Sequence, residues 1–162
     1  MSNEVSIDYF AGTATFMVNV ESGVTKTTYK GVFKVKCVLS PLEYIHADGF
    51  YRELIGKSNP QFVADYVGQL CYALSQLKYR IMDCPEWFKN KENGIHGSSI
   101  DDNILLHILD RTVDSELQYR EGIKERYDKA RESVKKAIDD KELTSGKQEK
   151  EESKEKEETD EQ

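Results

Sequence analysis

The sequence predicts an α+β fold: a small N-terminal antiparallel β-hairpin or sheet packed on an α-helical bundle, followed by a long C-terminal helix and a disordered acidic, lysine-rich tail. Three observations carry this reading. Apolar residues alternate one in two as far as Cys37, then recur every three or four positions. A helix-start signal, Ser40-Pro41-Leu42-Glu43, stands at the change of rhythm. After Leu143 there is no aliphatic or aromatic residue.

Residues 1–12 are expected to be a flexible lead-in to a body spanning 13–118. "TATFMVNV" reads as a strand over 13–20, with Phe16, Val18 and Val20 on one face. "ESG" supplies a turn, with Gly23 suited to positive φ. The second strand, 25–39, puts Phe33, Val35 and Cys37 on one face and Lys34 and Lys36 on the other, the pattern of a sheet with one wet face. Gly31 within it suggests a bulge.

A helix over 41–55 follows directly. Ser40 can cap it, Pro41 fits its first position and Glu43 can close a capping box, while Gly56 ends it. Asp48 and Arg52 make an i,i+4 pair on its polar face. Asn59-Pro60 starts a second helix, 60–82, stopped by Cys84-Pro85. Phe62, Val63, Tyr66, Val67, Leu70, Leu74, Leu77 and Ile81 fill nearly half of its circumference, which marks it as the central helix. Tyr72 and Tyr79 lie one heptad apart on its other face, among Asp65, Gln69, Ser75 and Gln76. They read either as packing against the Trp87 loop or as an exposed aromatic pair suited to a protein interface. "PEWFKNKENGIHGSS" is a loop anchored by Trp87-Phe88, its end loosened by Gly94 and Gly97.

The last helix opens at Asp101-Asp102, acidic residues that suit a helix N-terminus. It covers 102–118 within the body and continues as an extended arm over 119–143. Leu105, Leu109, Thr112, Glu116, Tyr119, Ile123, Tyr127, Ala130, Val134 and Ala137 hold one narrow heptad-like stripe. From Leu105 to Ala137 a helix extends roughly 48 Å at 1.5 Å per residue, against a radius of gyration near 13 Å for ~100 residues. Either the helix breaks, with Gly122 its weak point, or the distal stripe belongs to another chain. The second is preferred, because no proline interrupts the stripe and charged residues surround it. Tyr119, Ile123, Tyr127 and Val134 are therefore candidate partner-binding residues, with Tyr72 and Tyr79. Residues 144–162 are expected to be disordered, or at most a transient charged helix.

The 162 residues carry a net charge of −7. The segment from Thr144 has four lysines against eight acidic residues, which leaves −3 on the rest. An acidic chain lacks the basic footprint of a nucleic-acid binder. No apolar run approaches the ~20 residues of a membrane span, so a soluble, unexported protein without membrane contact is expected. Cys37, Cys71 and Cys84, with His46, His96 and His107, show no metal-ligand spacing, and no metal or other cofactor is expected. No nucleophile has a visible base, and "GIHGSS" lacks the phosphate-loop lysine. A non-enzymatic protein is expected.

"YKGVFKVKCVLSPLEYIHADGFYRELIG" followed by "YALSQLKYRIMDCPEWF" resembles the tail assembly chaperones of tailed bacteriophages. The likeness covers roughly Tyr29 to Asp110: a lysine-rich alternation, a capped helix, a long helix ending before Pro85, and an acidic helix. The charged C-terminal extension is similar too. The resemblance implies a helper in the host cytoplasm that binds the tape-measure protein, or other tail proteins, and prevents its premature collapse. The alternative is a structural virion protein of the tail or head–tail connector, its arm a permanent subunit contact. The sequence leaves open whether the arm forms a homo-oligomeric coiled coil or is reserved for another polypeptide.

Overall fold

The computed structural model describes residues 5–56, 63–90 and 94–159, with side chains only as far as Ile138 in the final helix. It is an α+β fold with a four-stranded antiparallel sheet in the order β1 (Ser6–Asp8), β2 (Thr13–Glu21), β3 (Thr28–Lys36), β4 (Ile81–Asp83). The two long strands pair in regular register, Phe16 opposite Phe33 and Ala14 opposite Val35. Their inward residues Ala14, Phe16, Val18, Phe33, Val35 and Cys37 are buried, whereas Met17, Val32, Lys30 and Lys34 face water.

Two short strands replace expected irregular or helical structure. Within the expected lead-in, Ser6–Asp8 pairs with Thr13–Thr15, and the Asp8 carboxylate accepts the N–H groups of Phe10 and Ala11 to close the turn. Ile81–Asp83, read as the end of a helix, instead pairs with β3. Its β-branched Ile81 packs partly against the core, and Pro85, two residues after Asp83, cannot extend a helix. The irregular register lies at Lys34/Val35, opposite β4, and not at Gly31, which pairs regularly with Val18.

Gly31 serves a different purpose. A Cβ there would lie 2.1 Å from Pro85 Cγ and 3.3 Å from Trp87 Nε1. The bare backbone makes room for the Pro85–Phe88 segment to lie on the sheet, where Trp87 Nε1 donates to the Lys30 carbonyl at 2.8 Å. Phe33 then meets Trp87 and Phe88 edge-on at 5.7 and 5.1 Å, and Phe88 is fully buried. The anchor read at Trp87-Phe88 is in place. At the far end of the loop, Gly97 has φ +81° and donates to the Phe88 carbonyl at 2.9 Å, so it closes the loop onto its own anchor. In the β2–β3 turn the positive φ falls on Lys26 and not on Gly23. Ser22 Oγ accepts from the Thr25 N–H at 2.8 Å and donates to the Asp101 carboxylate, tying the turn to the start of the last helix.

α1 (Pro41–Ile55) carries the expected capping box, with Glu43 N–H on Ser40 Oγ and the Glu43 carboxylate on the Ser40 N–H, and the expected Arg52–Asp48 pair at 2.9 Å. α2 runs from Asp65 to Arg80. The start signal at Asn59-Pro60, and Phe62, lie outside the described residues. α2 is buried on two faces, as a central helix should be, and its expected arc packs inward in part, with Leu70 and Leu74 half-buried against the core. Ala73 and Leu77 enter the core, whereas Tyr66 and Val67 are exposed. A second face packs on α1, where Lys78 Nζ sits 3.6 Å above the Phe50 ring and His46 approaches Tyr79. Ser75 and Gln76, assigned by sequence to a wet face, are consequently buried.

α3 (Asp102–Thr159) packs Ile104, Leu105, Ile108 and Leu109 under the sheet. It passes Gly122 without a break, so the anticipated weak point does not interrupt it. Its backbone stays helical across the lysine- and glutamate-rich segment where disorder or a charged helix was expected, in keeping with the good helix propensity of both residues. The chain divides into two compact units, Met1–Arg120 and Glu121–Gln162.

Candidate protein-binding surface

Within the first unit the most elaborate polar construction is one the sequence reading missed. Arg80, at the end of α2, is almost wholly buried. Its guanidinium donates to the Cys37 carbonyl at 2.8 Å, to the Glu116 carboxylate at 2.6 Å and to Tyr44 Oη at 3.3 Å. Arg120, one turn on, also binds Glu116, at 2.6 Å. Sheet end, α1, α2 and α3 thus converge on one cation. A signal was present: Glu116 interrupts the apolar stripe of α3, and a carboxylate in a seam needs a buried partner.

Electrostatics follow from these contacts. Burial pushes the Glu116 carboxyl up, but the Arg120 and Arg80 bonds outweigh it and hold the pKa below the ordinary glutamate value. The Lys36 ammonium and the Ser40 N–H and hydroxyl hold Glu43 down to about 2 from an ordinary 4.5. Both folded values lie below the unfolded ones, so their stabilisation is complete above about pH 4.5 and is lost as pH falls through the folded pKa. We predict that the melting temperature drops progressively between about pH 4.5 and about 2 in a calorimetric pH series. A flat profile across that window contradicts these assignments.

The three cysteines are free. Burial pushes the Cys37 thiol up to about 11 and raises Cys84, which leaves both poor nucleophiles at neutral pH. Among the described residues no group of three or more His, Cys, Asp or Glu is placed to hold a metal ion.

The expected binding residues fall into three settings. Tyr72 is 48% exposed and, with Tyr51, Val63, Asp65, Gly68 and Gln69, lines an open groove of about 420 Å³. Tyr79 shares its helix face but is half-buried, 6.2 Å from the His46 ring. The two tyrosines therefore do not form one exposed pair. Tyr119 belongs to the first unit, half-buried and stacked on Tyr9 at 5.7 Å, so the arm begins two residues later than expected.

The remaining three stand together in the second unit. Ile123, Tyr127 and Val134 are 41%, 68% and 60% exposed, and Ile138, 52% exposed, extends the row. Their spacings of four, seven and four residues keep them on one side of the helix with Ala130 between. The heptad spacing in the sequence continues through Ala137 and so passes over Ile138. Such a row has the chemistry of a helix seam: apolar, narrow and regularly spaced. No helix of the described residues is long and apolar enough to cross a membrane.

Comparison of the chain with protein-family models, with curated proteins and with solved structures finds no match.

Proposed function

We propose that this chain is a non-enzymatic assembly chaperone of bacteriophage tails, acting in the host cytoplasm by binding the tape-measure protein during tail assembly. The observation that carries the proposal is the exposed row Ile123–Tyr127–Val134–Ile138 on α3. The likeness over Tyr29–Asp110 supplies the identity of the client.

In this reading the row covers apolar positions of a client helix that would otherwise associate prematurely. Its area is small, because each turn offers a single side chain, one of them only Ala130. Contact through such a seam is suited to release when the client's own partners arrive. The segment after Leu143, rich in charge of both signs and net negative, keeps the loaded complex soluble.

Co-expression with the tape-measure protein tests this. Tyr127→Ser combined with Val134→Ser is expected to reduce recovery of the client about tenfold or more while stability shifts by less than ~1 kcal/mol, since both side chains are exposed. Undiminished recovery contradicts the proposal. Salt-stable retention of the chain in purified particles favours the structural virion protein instead.

A further inference from the structure

The second unit sorts its charges as well as its apolar residues. At 100° per residue, Arg131, Lys124 and Lys135 border the Ile123–Tyr127–Val134–Ile138 row on one side, and Arg126 borders it on the other. The acidic side chains Glu121, Glu125, Asp128 and Glu132 lie toward the back of the helix, where Glu125 is 3.9 Å from Lys129 Nζ. One margin of the seam thus carries three cations, and the other carries Arg126 beside the neutral Ser133 and Ala137.

Margin charges select partners in helix pairing, because they meet across the seam. Two copies of this chain laid seam to seam set cations against cations when antiparallel, and against Arg126 or neutral side chains when parallel, with no acidic margin in either arrangement. Like charges at that range are destabilising by about as much as opposite charges stabilise. A helix with acidic margins turns every one of those contacts favourable. A lipid surface is a poorer fit. Interfacial helices bury a broad face of large apolar residues, whereas this row includes Ala130 and contains no Trp, Phe or Leu between Glu121 and Ile138.

We propose that the row accepts an amphipathic helix of another protein whose apolar seam is bordered by Asp and Glu, and that it does not pair with a second copy of this chain. The inference rests on the row being a client surface and adds the chemistry of the client.

Two synthetic helical peptides with the same apolar heptad seam, one with Glu and one with Lys at the bordering positions, are titrated against the full chain. The Glu peptide is expected to bind about tenfold or more tightly than the Lys peptide. The preference should reverse in the triple variant Lys124→Glu, Arg131→Glu, Lys135→Glu. In parallel, sedimentation of the chain alone should show no association that Tyr127→Ser with Val134→Ser removes, and the chain should not float with phosphatidylglycerol-containing vesicles. Equal affinity for the two peptides, binding of neither, self-association through the row, or flotation overturns the inference. Glu-peptide binding without tape-measure binding overturns the proposed client and leaves this chemistry standing. Tape-measure binding that is unchanged by the triple charge reversal does the opposite.

Discussion

Replacing Arg80 with alanine is expected to cost about 3 kcal/mol and to lower the melting temperature by about 10 °C, measured by calorimetry or denaturant titration. Deletion removes the donor that satisfies the Cys37 carbonyl and leaves Glu116, only 18% exposed at its side chain, with Arg120 alone. The cost arises chiefly from polar groups left buried without their partner. Replacing both charges, Arg80→Met with Glu116→Leu, should therefore recover much of the loss, because no orphaned carboxylate remains. A single variant as stable as the parent, or a double variant whose loss is the sum of two large single losses, contradicts the network as described.

Gly31→Val is expected to destabilise the body by about 3 kcal/mol. Even the first added carbon meets the Pro85 ring at 2.1 and 2.8 Å, and that ring is too stiff to move aside. The Pro85–Phe88 segment must lift, breaking the Trp87–Lys30 hydrogen bond and parting Tyr29 and Phe33 from the indole. Indole fluorescence should consequently shift to the red as Trp87 meets water. Combining Gly31→Val with Pro85→Gly should cost clearly less than the sum of the two single changes, since the second removes the obstacle. Strict additivity of the pair would place the strain elsewhere.

These two sites mark where the sequence was legible and where it was not. The capping box at Ser40 and Glu43, the i,i+4 pair at Asp48 and Arg52, and the one-sided burial of Phe16, Val18, Phe33 and Val35 were readable because each depends on near neighbours in the chain. The inward arc of α2 was readable at Leu70, Leu74 and Leu77 but not at Arg80, whose burial goes with Cys37, Tyr44 and Glu116, all distant in sequence. Gly31 drew attention as a strand glycine, yet its reason lies in Pro85, fifty-four residues away. β1 and β4 were too short, at three residues each, to show an alternation. In the candidate surface, the spacing of Ile123, Tyr127 and Val134 put them on one side of the helix, and the structure leaves all three exposed, because a helix stripe is a local pattern. Tyr119 followed the same spacing and still packs against Tyr9, a contact with the far end of the chain that no helical wheel contains.

The most direct test of the proposed client surface is amide hydrogen exchange of the full chain with and without the tape-measure protein. Protection is expected to rise across Glu121–Ile138 on complex formation while exchange in β2 and β3 stays unchanged. Unaltered exchange across Glu121–Ile138 in a complex that has formed would contradict a role for this helix in holding the client.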